Sequence, residues 1–147
     1  MRKSLLAFVA IAAALNFCAS AVFAGPIEDR QAAMKANGQT MKILGGMAQG
    51  ESPFDAAVVK EQAEAMAARF DGVKVLFPPG SENGPPETYA KPEIWSDPEG
   101  FAAALNPAID ASLALASVTD AAHLKDAVGT VGGTCKNCHD KYTRPKD

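Results

Sequence analysis

The segment Val131–Tyr142 reads VGGTCKNCHDKY and contains two cysteines separated by two residues, with a histidine directly after the second. On a helix, Cys135, Cys138 and His139 share one face, because residues three and four positions apart lie on the same side. A Cys-x-x-Cys-His sequence is the attachment pattern of a c-type haem. The spacing lets two thiols add to the vinyl groups at one edge of a porphyrin while the next imidazole reaches the iron. The sequence therefore predicts one covalent haem c, with Cys135 and Cys138 as thioether residues and His139 as axial ligand.

Three other uses of the cysteine pair are less consistent with the sequence. A thioredoxin-like redox motif expects a strand before the helix, and no strand pattern precedes this segment. A zinc site needs four ligands, and only His123 and His139 remain as histidines once two cysteines are used. A disulfide can form in an oxidising compartment, but it leaves the adjacent histidine unexplained. Haem attachment is favoured because it uses all three side chains of the motif.

The N-terminus has the pattern of a cleaved signal peptide. The basic pair Arg2 and Lys3 precedes the apolar run LLAFVAIAAAL, and a short Val-Phe-Ala cleavage sequence stands before Gly25. The apolar run is too short to span a bilayer comfortably, so no membrane span is expected. We therefore predict export to the periplasm, with residues 1–24 removed and residues 25–147 forming one mature domain.

Removal of the leader changes the charge and cysteine counts. The full chain has 147 residues, 14 basic and 17 acidic side chains, a net charge of -3 and 3 cysteines. The predicted mature chain has 123 residues, 12 basic and 17 acidic side chains, a net charge of -5, and only Cys135 and Cys138. An acidic balance argues against a nucleic-acid-binding protein, which needs a basic face. Two cysteines within one motif leave no disulfide framework.

Hydrophobic periodicity predicts four helices and no strand in the mature chain. The first helix is expected from Pro26 to about Met47, where glycines follow. The second is expected to begin with Ser52 as N-cap and Pro53 at the first helical position, and to end near Phe70.

A long loop rich in proline and glycine is predicted over residues 77–98, with Trp95 anchoring it to the core. The third helix is expected to start at Asp97 and Pro98. Pro107 lies inside its apolar pattern and predicts a kink, or a helix split in two with Asn106 capping the second piece.

The fourth helix is expected to begin after the cap Thr119-Asp120 and to continue through three glycines into the cysteine motif. Four amphipathic helices with two short links and one long loop predict an all-α, antiparallel four-helix bundle. The haem would then lie near the C-terminal end of the bundle.

The sixth coordination position of the iron needs a ligand from upstream, because only eight residues follow His139. His123 would lie about 24 Å away along the same helix, at about 1.5 Å per residue, and is better explained as a surface residue. The remaining candidates are methionines: Met34, Met41, Met47 and Met66. Met34 is the best single candidate, and the alternative for it is ordinary packing in the core.

These features resemble the class II c-type cytochromes, the cytochrome c′ family, in which a four-helix bundle carries the haem motif at its C-terminal end. The resemblance covers nearly the whole mature chain and is carried by RQAAMK at 30–35, LFPPG at 76–80, KPEIWS at 91–96 and the segment 131–142. It implies that Arg30 lies beside the haem and neutralises a propionate, and that Met34 faces the distal iron position.

The family divides at the position of Met34. Cytochromes c′ leave the iron five-coordinate and high-spin, whereas their low-spin relatives use a methionine there as sixth ligand. The sequence MKANG at 34–38 is more similar to the low-spin branch, and FPPG at 77–80 is more similar to cytochromes c′. Both states stay open. At position 143, where cytochromes c′ commonly have a basic residue, this chain has a threonine, Thr143, and the basic residue Arg144 comes next.

Two functions fit these features. The first is a periplasmic electron carrier that exchanges single electrons with redox partner proteins. The alternative is a five-coordinate protein that binds small gases such as nitric oxide or carbon monoxide at the distal haem face. The sequence shows neither a pair of carboxylates nor a distal histidine that would indicate an enzyme. The resemblance also implies a homodimer through the first two helices, where the small side chains of the first helix permit close approach.

Overall fold

The computed structural model describes residues 25–145. The predicted leader, residues 1–24, lies outside the described residues. The described part of the chain contains five helices: α1 (Pro26–Ala48), α2 (Ala56–Val73), α3 (Glu93–Ser96), α4 (Pro98–Ala116) and α5 (Ala121–Tyr142). Within it no strand forms, and extended pairing is limited to one antiparallel bridge between Ala90 and Thr143. Over the same range, none of the helices combines the length and the apolar character that crossing a bilayer requires.

The four long helices close a ring. Helix α1 packs on α2, α2 on α4, α4 on α5, and α5 on α1, while the single turn α3 rests on α4. Short links join α1 to α2 and α4 to α5, so the members of each pair run antiparallel. The predicted all-α four-helix bundle is confirmed.

The core lies along the axis of this ring and fixes α5 in place. Leu44 from α1, Met66 from α2, Leu115 from α4, and Leu124 and Val131 from α5 have no solvent exposure. Burial of such a side chain stabilises the fold by roughly 1.5–3 kcal/mol. Because Val131 is one turn before the cysteine motif, core packing sets the position of that motif.

Aspartates begin three of the long helices. Asp55 Oδ1 accepts hydrogen bonds from the backbone nitrogens of Ala57 and Val58 at 2.9 and 3.2 Å, so α2 starts there. The predictions of Ser52 as the cap and of Pro53 at the first helical position were therefore wrong. Serine and aspartate cap helices about equally well, and the path of the chain places Asp55, whose charge also matches the helix dipole, at the start of α2. The predicted starts at Asp97 and Asp120 are confirmed by equivalent side-chain bonds.

Helix α4 is continuous through Pro107, so the predicted split with Asn106 as a second cap was wrong. Proline removes one intrahelical hydrogen bond, but Pro107 is exposed while Leu105 and Ala108 are buried in the core. Their packing keeps the helix in one piece. The predicted loop over residues 77–98 is also interrupted, by α3.

Helix α5 is continuous from Ala121 to Tyr142, as predicted, although three glycines lie inside it. A Cβ added at Gly132 would meet only Met41 Cε, at 3.9 Å, which is an ordinary contact. The packing of the described residues therefore does not require a glycine on this face of α5. The face is open toward the space between α5 and α1.

Candidate haem site

Cys135, Cys138 and His139 lie in the last two turns of α5. Both cysteines are half-buried free thiols, and His139 is exposed. Burial raises the pKa of the Cys135 thiol, and burial together with the nearby Cys135 raises the pKa of Cys138. Both sulfurs are therefore protonated at neutral pH and behave as neutral, half-buried groups at the edge of a cavity.

A cavity of about 710 Å³ lies beside this motif. Its wall includes Arg30 and Met34 of α1, Phe77 of the long loop, and Cys138 and His139 of α5. The sequence-predicted site residues on α1 and α5 therefore meet at one cavity, although more than a hundred positions separate them in the chain.

A second, smaller cavity of about 200 Å³ adjoins the first. Met34, Cys138 and His139 line it as well, so the two cavities share a wall, and Cys135 joins them here. Most of its other lining is apolar, including Phe70 of α2. All five predicted site residues therefore lie around these two adjoining cavities.

The other candidate ligands are distributed differently. Met41 lines the smaller cavity, whereas Met66 is fully buried in the core and lines neither cavity. His123 is exposed at the start of α5, where its Nδ1 lies 2.8 Å from Asp120 Oδ1. The expectation that His123 is a surface residue is confirmed.

Arg30 is a buried cation, with 4 % of its surface exposed. Its guanidinium donates to Ser81 O at 2.8 Å, to Ser81 Oγ and Thr88 Oγ1 at 3.1 Å, and to Leu76 O at 3.3 Å. It also lies 4.6 Å from the ring centroid of Phe77. Burial lowers the pKa of Arg30, and the negative charge of Glu82 partly offsets this effect.

All four acceptors of Arg30 are neutral oxygens, and among residues 25–145 no carboxylate forms an ion pair with it. A buried charge is costly unless an opposite charge compensates it. The larger cavity that Arg30 lines is where such an anion could approach. The role of Arg30 toward a haem propionate stays a prediction, and its anchoring of the long loop is an additional role that the sequence analysis missed.

The end of α5 is held by the long loop. Lys91 Nζ donates to the carbonyl oxygens of Asp140 at 2.9 Å and Lys141 at 3.1 Å, and the Lys91 backbone N–H donates to Tyr142 O at 3.0 Å. Arg144 adds a backbone bond to Tyr89 O at 2.7 Å. These contacts fix the helix end that carries His139. No local sequence signal identifies them, because they join residues about fifty positions apart.

A polar network joins α1 to α2 beside the smaller cavity. Asn37 Oδ1 accepts from Arg69 Nε at 2.7 Å, and Arg69 Nη2 donates to Thr40 Oγ1 at 2.8 Å. The Nδ2 of Asn37 is buried and has no acceptor among the described residues. An unpaired buried donor costs about 1–3 kcal/mol. Asn37 was not predicted as a site residue, although it is a polar residue one turn after Met34 on the inner face of α1.

The residues around the two cavities fit a covalent haem. Two free thiols three positions apart line the smaller cavity, the second of them also lines the larger one, and the imidazole that follows them and a thioether from another helix line both. The buried cation Arg30 lines the larger cavity, and Asn37, whose amide nitrogen has no partner among the described residues, lines the smaller one. This donor set matches what an iron porphyrin with anionic propionates requires.

Comparisons with known proteins agree with this geometry. The sequence profile of a family described as cytochrome C' matches residues 25–143. A cytochrome c' of Rubrivivax gelatinosus is 40% identical over 119 residues, which is 79% of this chain and 92% of that protein. Cytochrome c-556 of Agrobacterium fabrum is 38% identical over 142 residues, covering 92% of this chain and 95% of that protein.

Solved structures agree as well. The structure of the nitric oxide complex of a mutant cytochrome c prime from Alcaligenes xylosoxidans is similar, with a TM-score of 0.71 and 32% identity. The similarity covers 84% of this chain and 99% of that one. At this coverage the whole bundle is shared, including the C-terminal helix.

Proposed function

We propose that this chain, which belongs to the cytochrome c′ family and is a monohaem c-type cytochrome, carries single electrons in the periplasm. In this proposal, Cys135 and Cys138 would hold the haem as thioethers, and His139 and Met34 would be the ligands of its iron. The haem supplies a one-electron change of iron oxidation state. The chain supplies attachment, ligands and a surrounding that excludes water.

One observation supports this proposal above the others. Met34 and His139 come from different helices, α1 and α5, and line both cavities together. A thioether is a soft ligand that favours the reduced iron, and histidine–methionine ligation is a known arrangement in electron-carrying cytochromes. Since α1 and α5 both belong to the packed ring, the two ligands would move little when the iron changes charge.

Arg30 fits the same role. A buried guanidinium with only neutral acceptors is suited to a haem propionate at the edge of the larger cavity. The positive charge also favours the reduced haem, which carries one negative charge more than the oxidised haem.

A redox titration followed by absorption spectroscopy tests electron carriage. The proposal expects a reversible one-electron transition whose midpoint potential is the same with and without carbon monoxide. Carbon monoxide that bound only the reduced protein would raise the apparent potential by linkage. A raised potential under carbon monoxide would show that Met34 does not occupy the sixth position.

Gas binding is the second candidate function. It is favoured by the smaller cavity, whose largely apolar lining beside Met34 suits a small neutral molecule. The nitric oxide complex of the Alcaligenes xylosoxidans relative supports the same possibility for this chain. Titration of the reduced protein with nitric oxide tests it, and a spectrum that does not change at saturating gas would exclude it.

The partners follow from the first function. Redox proteins are proposed as partners of the mature chain. The chain itself is proposed to have no catalytic role. A homodimer through α1 and α2 is a further proposal, and sedimentation velocity of the purified holoprotein over a concentration series tests it.

A further inference from the structure

The end of α5 that carries the cysteine motif is basic in an otherwise acidic protein. Residues 25–130 have 8 basic and 15 acidic side chains, a net charge of -7, whereas residues 131–145 have 3 basic side chains and 1 acidic one, a net charge of +2. We propose that this end of the helix, with the groove beside it, docks a redox protein through an acidic patch on that partner. The inference rests on the first candidate function above and adds the place and the chemistry of docking.

The groove is a cavity of about 220 Å³ whose wall is formed by α4 and the last turns of α5. Pro107 of α4 and Asn137 and Lys141 of α5 line it and are exposed, so it opens at the surface. These three residues and the exposed Lys136 form the docking surface. Cys138 lines this groove as well as both cavities of the haem site. A partner seated over the groove would therefore lie beside one of the two cysteines proposed to hold the haem.

Lys141 is the charge that this surface offers to a partner. It is the only charged residue that lines the groove, and no carboxylate lines it. Its Nζ lies 4.8 Å from the ring centroid of Tyr142, and it forms no ion pair with a carboxylate among residues 25–145. Asp97 attracts it electrostatically, but Asp97 Oδ1 accepts from the backbone nitrogen at the start of α4. Lys136, in contrast, forms an ion pair with Asp140 on its own helix.

The charge distribution favours a protein partner over an anionic membrane. A lipid surface of uniform negative charge would repel residues 25–130, with their net charge of -7. A protein can instead place its carboxylates opposite Lys141 alone. Charges at the rim of an interface raise the rate of association more than the affinity, which suits a carrier that releases its partner after each transfer.

The test measures how fast the oxidised holoprotein is reduced by two donors of opposite charge, over a range of ionic strength. Reduced flavodoxin is the acidic protein donor, and hexaammineruthenium(II) is the small cationic donor. Lys141→Glu reverses the charge at the groove, and Lys141→Gln removes it. Lys125→Glu is the matched control, because Lys125 is exposed on the same helix about 24 Å away and its substitution changes the net charge equally.

The proposal expects Lys141→Glu to slow reduction by flavodoxin about three- to tenfold at low ionic strength, and Lys141→Gln to slow it by a smaller factor. Both effects should disappear at high salt, and Lys125→Glu should change the rate less than about twofold. Reduction by hexaammineruthenium(II) should not slow in either Lys141 variant, which separates lost docking from a changed midpoint potential. If Lys141→Glu does not take up haem, Lys141→Gln decides by the same criteria.

Three results would overturn the proposal. An unchanged rate with flavodoxin in Lys141→Glu is the first, and equal slowing in Lys125→Glu, which would mean that only net charge matters, is the second. The third is a greater loss in Lys35→Glu, which would move docking to the exposed lysine that lines the larger cavity.

A membrane partner has its own signature. The native protein would cosediment with phosphatidylglycerol vesicles, Lys141→Glu would abolish this binding, and the rate with flavodoxin would be the same in both. That combination would assign the docking surface to a lipid and overturn the proposal of a protein partner.

The first candidate function fails in a different way. In that case the reduced native protein would bind carbon monoxide at the iron, while the rate with flavodoxin would still depend on Lys141. If only the docking proposal fails, the native protein does not respond to carbon monoxide, and Lys141→Glu is reduced by flavodoxin as fast as Lys125→Glu. The two proposals therefore fail separately.

Discussion

Arg30 Nη2 donates to the carbonyl oxygen of Ser81 at 2.8 Å across 51 positions of sequence. The bond ties the first turns of α1 to the long loop, and the same guanidinium lies against the ring of Phe77. Arg30 therefore has a structural role in the protein itself, in addition to the electrostatic role proposed toward the haem. The two roles make different predictions for substitutions.

Arg30→Met is expected to lower the free energy of unfolding by about 2–3 kcal/mol, because buried oxygens of Ser81 and Thr88 lose their donor. It is also expected to lower the haem midpoint potential by on the order of tens of millivolts, since a nearby positive charge favours the reduced form. Denaturant titration and redox titration measure the two effects separately.

Arg30→Lys is the matched variant for this pair of effects. It keeps the positive charge but loses the planar fork, so it should lose stability like Arg30→Met while keeping most of the potential. If the midpoint potential of Arg30→Met were unchanged, the proposed interaction of Arg30 with a propionate would be contradicted. The role of Arg30 would then be limited to anchoring the long loop.

The architecture was largely predictable from the sequence, and the reasons are local. Apolar periodicity and aspartate caps such as Asp97 and Asp120 act within a few residues, so the four long helices were identified close to their observed ends. The motif at Cys135 carries its chemistry in five adjacent residues. Local patterns of this kind need no knowledge of the tertiary structure.

The errors and omissions concern choices that tertiary packing decides. Ser52 and Asp55 are both reasonable caps, and only the path of the chain selects the second. Pro107 should break a helix, but packing on both sides of it keeps α4 continuous. The bonds of Lys91 to the end of α5 and of Asn37 to Arg69 join distant segments, and no local pattern predicts them.

Lys91→Met is expected to destabilise the holoprotein by about 1 kcal/mol, because the carbonyls at the negative end of the α5 dipole lose a cation that binds them. Thermal unfolding followed by circular dichroism measures the effect. Lys42→Met, at an exposed position of α1, is the control and should change the midpoint little. Equal losses in the two variants would mean that Lys91 acts only through net charge.

Stability should depend on the ionisation of Asp120. The hydrogen bond from His123, together with the backbone N–H groups at the start of α5, lowers the pKa of this carboxyl below its ordinary value. A lowered pKa in the folded state stabilises the protein above the ordinary carboxyl pKa, and the contribution is lost as the pH falls through the lowered value.

Asp120→Asn keeps an N-cap oxygen but removes the charge, so it isolates this effect. The native protein should unfold at higher denaturant concentration than Asp120→Asn near pH 6, and the difference should shrink as the pH falls below about 4. A difference that is constant over this range would contradict the assignment of the lowered pKa to the folded state.

The absorption spectrum of the reduced protein, recorded with and without carbon monoxide and compared with that of Met34→Leu, tests the central claim most directly. If His139 and Met34 both bind the iron, the native protein is low-spin and does not respond to the gas, whereas Met34→Leu keeps its haem, becomes high-spin and binds carbon monoxide. A native protein that is high-spin and binds carbon monoxide as readily as Met34→Leu would contradict the claim that Met34 is the sixth ligand.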